Sequence, residues 1–109
     1  MSEKSAMTKN LQLFERWREN RKEYLESFGW RLEFRDGEPT SNTAKSIFMS
    51  GETFEAMICG WSLGDVELDA VWVHDGSTLK VDRASSELSF EDTLDYYLNV
   101  LVACIKAGP

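Results

Sequence analysis

From Trp30 onward the hydrophobic pattern of this chain has a period of two, and it does not return to a helical period for some fifty residues. Trp30, Leu32 and Phe34 alternate with Arg31, Glu33 and Arg35, as a half-buried strand requires. Asp36 to Thr43 is turn chemistry throughout and forms the longest loop, with Pro39 the only internal proline. A second strand is predicted over about Ala44–Ser50, and a third over Thr53–Trp61 after a turn at Gly51-Glu52. Gly64-Asp65 closes the next turn before a fourth strand, Val66–His74. Asp75-Gly76 is the strongest hairpin signal, since a type I′ turn needs positive φ at both central positions, and Ser77–Asp82 completes a fifth strand. No stretch between strands two and five leaves room for a helix, so the middle of the chain reads as an antiparallel meander.

Helical periods flank it. From Asn10 to Phe28 the apolar residues Leu11, Phe14, Trp17, Tyr24, Leu25 and Phe28 recur at helical spacing. Glu15, Arg16, Arg18, Glu19, Arg21, Lys22, Glu23 and Glu26 make the opposite, solvated face, and Gly29 marks the stop. Ser89 opens a last helix, with Glu91 and Asp92 favouring its positive end. Its wide stripe is Phe90, Leu94, Tyr97, Leu98, Leu101, Val102 and Ile105, and Gly108-Pro109 ends it. The prediction is a single α+β domain over residues 10–107, preceded by a flexible N-terminus at 1–9. Its order is an N-terminal helix, a five-stranded antiparallel meander, and a C-terminal helix packed on the sheet.

Turn positions imply registers. A two-residue turn at Asp75-Gly76 pairs Trp72 with Leu79, and a turn centred on Leu63-Gly64 pairs Trp61 with Val66 and Cys59 with Leu68. One face then collects Phe48, Met57, Cys59, Trp61, Val66, Leu68, Ala70, Trp72, Leu79 and Val81, a surface two helices can cover. The other mixes Ile47, Met49, Phe54, Ala56, Ile58, Val71 and Val73 with Lys45, Glu67, Asp69 and Lys80; either one helix sits on each side, or, as the charges on it favour, this face is left for a partner.

Charge limits what that partner is. Residues 1–36 carry eight Lys/Arg against seven Asp/Glu, whereas residues 37–109 carry four against twelve. Such a one-sided acidic field favours basic protein surfaces and disfavours nucleic acid and anionic membranes. No apolar run approaches the roughly 20 residues of a membrane helix, and the N-terminal segment lacks an apolar core for a signal peptide. A cytoplasmic location is expected, with Cys59 and Cys104 as buried reduced thiols.

Catalytic constellations are sparse. His74 is the only histidine and reads as a solvated strand-end residue, so no zinc site is expected. No phosphate-cradling glycine motif is present, and Glu67 and Asp69 alternate along a strand instead of lining a calcium loop. The chain is read as a non-enzyme with no cofactor.

Trp61-Ser62-Leu63-Gly64 precedes the acidic strand Asp65-Val66-Glu67-Leu68-Asp69. Phe14-x-x-Trp17 and Phe28-Gly29-Trp30 stand before it, and Ser89 opens the acidic last helix. Together these residues resemble the small immunity proteins of bacterial polymorphic toxin systems, particularly the TriTu-type family, over about residues 11–105. Ser62-Leu63 departs from the polar pair expected there. The resemblance implies an antidote that binds and occludes one toxin domain, in that family an ADP-ribosyltransferase of an Rhs-type protein that modifies elongation factor Tu. It carries over no catalytic or contact residue. From the residues themselves, Glu67, Asp69 and Asp75 are expected to supply the acidic field toward a toxin with a basic surface, with Phe54, Val71 and Val73 as apolar contacts. The chain is expected to be a monomer or weak homodimer. A dimeric acidic secretion chaperone and a homodimeric interaction domain are the alternatives.

Overall fold

The alternating runs pair in chain order, each with the next, through turns too short for a crossover. The computed structural model describes residues 3–81 and 88–107. They form α1 (Glu3–Glu26), β1 (Arg31–Asp36), β2 (Ala44–Ser50), β3 (Phe54–Trp61), β4 (Val66–Trp72), β5 (Thr78–Val81) and α2 (Phe90–Ala107). The sheet is antiparallel with order β1-β2-β3-β4-β5, so the chain is the helix–meander–helix α+β fold that its pattern predicts. α1 starts at Glu3, earlier than Asn10, because Glu3–Lys9 holds no glycine or proline and opens on an acid. Residues 1 and 2, the Asp82 end of the fifth strand and the Gly108-Pro109 stop lie outside the described residues.

Both helices lie on one sheet face, which keeps the predicted β4 and β5 residues Val66, Leu68, Ala70, Trp72, Leu79 and Val81 but takes the opposite set from β2 and β3. Ile58 pairs with Leu68 and Gly60 with Val66, one residue away from the pairing of Cys59 with Leu68. The cause is the turn. Trp61 donates its N–H to the Asp65 carbonyl (2.9 Å) and Gly64 to the Trp61 carbonyl (2.8 Å), so the loop is Ser62-Leu63-Gly64. Gly64, at φ 103°, supplies the left-handed residue that closes this loop, and a side chain there would be strained. A slip of one residue exchanges faces. Phe54, Ala56 and Ile58 therefore share the helix side with Leu68, Ala70 and Trp72.

At Asp75-Gly76 the loop also differs, but by two residues, which preserves the faces. Leu79 pairs with Ala70 and Val81 with Leu68. Only Gly76 has positive φ, because Asp75 accepts the Ser77 N–H (2.9 Å) and hydroxyl (2.7 Å) and so makes a wider turn than type I′. β4 thus ends at Trp72, and Val73, His74 and Asp75 belong to the turn.

Close approach of the helices depends on Gly60. A Cβ there would sit 2.6 Å from the Phe14 ring and 3.0 Å from the Phe90 ring, so bare backbone at this point seats both helices. Asp95 near the start of α2 accepts from Trp17 Nε1 (2.8 Å) and Arg21 Nη2 (2.6 Å). Lys106, near its end, lies 5.8 Å from the Phe28 ring centroid, so the two helices run in the same direction. Ser89 caps α2, its hydroxyl accepting the Asp92 N–H, and α2 buries Leu94, Tyr97, Leu98, Leu101 and Val102.

Two details depart from the predicted helix faces. Tyr24 is exposed, edge-on to Phe28. Arg18, placed by pattern on the solvated face, is 7% exposed. Its Nη1 donates to the carbonyls of Arg35 (3.2 Å) and Ser46 (3.1 Å), and its Nη2 to Asp36 (2.7 Å). The guanidinium lies 4.8 Å from the Phe34 centroid, so this cation is both bonded and stacked.

Candidate interaction surface

With both helices on one side, no described element covers the other side of the sheet. Its side chains follow from the register in three rows. Arg31, Ser50, Glu55, Val71 and Thr78 lie across one end. Glu33, Phe48, Met57, Asp69 and Lys80 cross the middle. Arg35, Ser46, Cys59 and Glu67 follow, with Trp61 beyond them. This face curls into a trough of about 950 Å³ whose lining reaches from Arg31, Glu33 and Arg35 on β1 to Thr78 and Lys80 on β5. Its floor is Phe48 and Met57, both half-buried, although no helix covers them. The Arg35 guanidinium packs 3.9 Å from the Phe48 ring centroid and also meets Glu33.

The predicted contact residues scatter over three places. Glu67, Asp69 and Val71 share the open face. Phe54 does not: it is 1% exposed under the helices, with its ring 4.7 Å from that of Trp30, and is a core residue. Val73 and Asp75 are exposed at the β4–β5 turn, outside the trough lining. His74 is exposed beside Asp75 in the same turn. Pattern reasoning assigned Phe48, Met57, Cys59 and Trp61 to a covered face and did not single out Arg31, Arg35 or Glu55. A glycine closing a three-residue loop at Trp61-Ser62-Leu63-Gly64 is the signal that would have placed the first four.

Electrostatics on this face are uneven. Glu67 and Asp69 stand side by side along β4, and their mutual hydrogen bond together with burial pushes the Glu67 carboxyl above its usual range. Lys80 Nζ, 3.5 Å from Glu67, offsets this only in part. Cys59, opposite Glu67, has its thiol pushed up to about 11, by burial first and then by the charges of Glu67 and Asp69. It therefore stays protonated near neutrality and is a poor nucleophile. Both cysteines are free, Cys104 being half-buried. Asp75 is held below its usual range by Ser77. Among the described residues no His, Cys, Asp and Glu side chains gather in threes as a metal ion would need, and no helix is long and apolar enough to cross a membrane.

Because the Glu67 pKa is raised on folding, its ionised form is less stable in the folded chain than in the unfolded one. Stability from this group is full below the unfolded value near 4.5 and is lost as pH rises through the higher folded value. Glu67→Gln is therefore expected to stabilise the chain by a few tenths of a kcal/mol near neutral pH, the scale of partly exposed charge pairs. Thermal melts of parent and variant should converge below about pH 4.5, where both side chains are neutral. A variant melting lower than the parent at neutral pH would show that the Lys80 pair outweighs the repulsion.

Ser62, in the turn between β3 and β4, ties three segments together. It is 1% exposed, accepts the Thr43 N–H at its hydroxyl (2.9 Å), and donates its own N–H to the Thr43 carbonyl (2.8 Å). Asn10 Nδ2 of α1 donates to the Ser62 carbonyl (2.9 Å), while Leu63 stands exposed at the tip. The departure seen in sequence at Ser62-Leu63 is thus a buried polar knot followed by a solvated apolar residue. No family model, curated protein or solved structure matches this chain.

Proposed function

We propose that this chain is a small immunity protein that binds a cognate toxin domain across the open sheet face and works by occlusion. The observation that carries the reading is a concave sheet face of mixed apolar and charged side chains, left without a helix among the described residues on a domain whose core lies on the other side. The resemblance of residues 11–105 to TriTu-type antidotes supplies the class of partner, an ADP-ribosyltransferase toxin domain. Phe48, Met57 and Val71 are the apolar anchors in this reading, and the charged rim sets rate and register.

A tagged pull-down from native cells, at low and moderate salt, with the captured proteins identified, tests it. Stoichiometric recovery of a toxin domain that the purified chain then neutralises supports the reading. Recovery of the chain alone gives a homodimeric domain instead. Reversing both carboxylates together, Glu67→Lys with Asp69→Lys, is expected to slow association with that toxin about tenfold at low salt, with the difference shrinking as salt screens the rim. The melting temperature of the doubly reversed chain should stay near that of the parent. Unchanged association at low salt would remove the steering role of these two residues.

A further inference from the structure

The open face has a shape and a charge order that narrow what fits it, and this step rests on the partner reading above. Strands spaced about 4.8 Å apart put β1 and β5 roughly 19 Å from each other at the backbone, and β1 and β4 roughly 14 Å, before side chains fill in. An α-helix with side chains is about 10–12 Å across, so one helix fits between them. The trough volume of about 950 Å³ is that of roughly two helical turns.

Charge is ordered across the trough. On the β1 wall stand Arg31 and Arg35 with Glu33 between them; on β4 Asp69 lines the trough and Glu67 stands beside it along the strand just past the lining, with Lys80 of β5 outside Asp69; between β1 and β4 Phe48 and Met57 make an apolar floor. Among the described residues Arg35 pairs with the exposed Glu33, and Glu67 with the exposed Lys80. The like-charged pair on β4 shares one cation among the described residues, Lys80, which stands opposite Asp69 and lies 3.5 Å from Glu67. We propose that the trough receives one amphipathic helix of the partner protein, its apolar stripe on Phe48 and Met57, its acidic flank against Arg31 and Arg35, and its basic flank against Glu67 and Asp69. Seated there, the helix converts a two-layer fold into a three-layer one with helices on both sides of the sheet.

The test is a selection. A displayed helix of roughly 18 residues, with an apolar stripe and with its two flanks randomised among Glu, Lys and Ser, is selected on the immobilised full chain. Clones with Glu along one flank and Lys along the other are expected to enrich, and exchanging the two flanks should weaken binding about tenfold or more. Met57→Arg, or Val71→Arg should the first not fold, is expected to abolish capture. Enrichment without charge order, capture that survives a proline in the middle of the peptide, or no enrichment over the Met57→Arg chain would each overturn the proposal. So would a chain that sediments as a dimer and becomes a monomer on Met57→Arg, since the face then belongs to a second copy. Toxin captured from cells with no helix selected overturns this inference and leaves the immunity reading standing; helices selected with no toxin captured does the reverse.

Discussion

Trp17→Ala is expected to destabilise the chain by about 3–5 kcal/mol, against a total of about 5–15 kcal/mol for a domain of this size. Trp17 is 2% exposed, between the sheet and α2, with its ring 5.8 Å from that of Phe14. Truncation removes its buried area and leaves a cavity between rigid elements that cannot close over it. It also removes the indole N–H that holds Asp95, although Arg21 still reaches that carboxylate. Chemical denaturation should show the loss, and the melting temperature should fall by roughly 15 °C. Trp17→Phe separates the two contributions: it keeps most of the volume and loses the hydrogen bond, so it should cost only about 1–2 kcal/mol. A Phe variant as unstable as the Ala variant would show that the Asp95 bond, not the packing, joins α1 to α2.

Element order and topology were legible because they depend on local signals that the sequence displays directly. The period-two runs, the turn residues and the Ser89 cap each name an element, and the absence of room for a crossover names the connection. The face was not legible, because it depends on a count of loop residues. At Trp61 to Val66 the difference between a four-residue and a three-residue loop rests on Gly64 adopting φ 103°, and both readings put glycine in the turn. That single residue moved Phe54 from the expected contact surface to the core, and brought Phe48 and Met57 out to the open face. At Asp75-Gly76 the pairing lies two residues from the one the turn predicts, and no side chain changes face. The acidic pair survives either error as an open-face feature, since Glu67 and Asp69 alternate with Leu68 and no helix could bury both faces. Their arginine counterparts on β1 were hidden because nothing in the pattern of one strand tells which rim it will form.

The largest effect that pattern reasoning missed belongs to Arg18. Its Nη1 is held by two backbone carbonyls and its Nη2 by Asp36, so it fastens α1 to the junction of β1 and β2. A buried cation is retained only when its bonds are complete, and breaking such a pair costs about 3–5 kcal/mol. Here Asp36 is 52% exposed and can turn to water, so Arg18→Ala is expected to cost less, about 2–3 kcal/mol. Arg18→Lys should recover little of that loss, since one ammonium cannot reproduce a fork that bonds carbonyls on two strands and a carboxylate at once. The pH dependence identifies the mechanism. Arg18 first, and Lys45 next, hold the Asp36 carboxyl below its ordinary range. Stability from that depressed pKa is present above the unfolded value of 3.8 and is lost as pH falls through the folded one. In Arg18→Ala the folded pKa rises toward its unfolded value, so the difference in stability between parent and variant should narrow as the solution is acidified below 3.8. A difference that stays constant across that range would assign the loss to the two carbonyl bonds and the stack on Phe34, with the Asp36 pair contributing nothing.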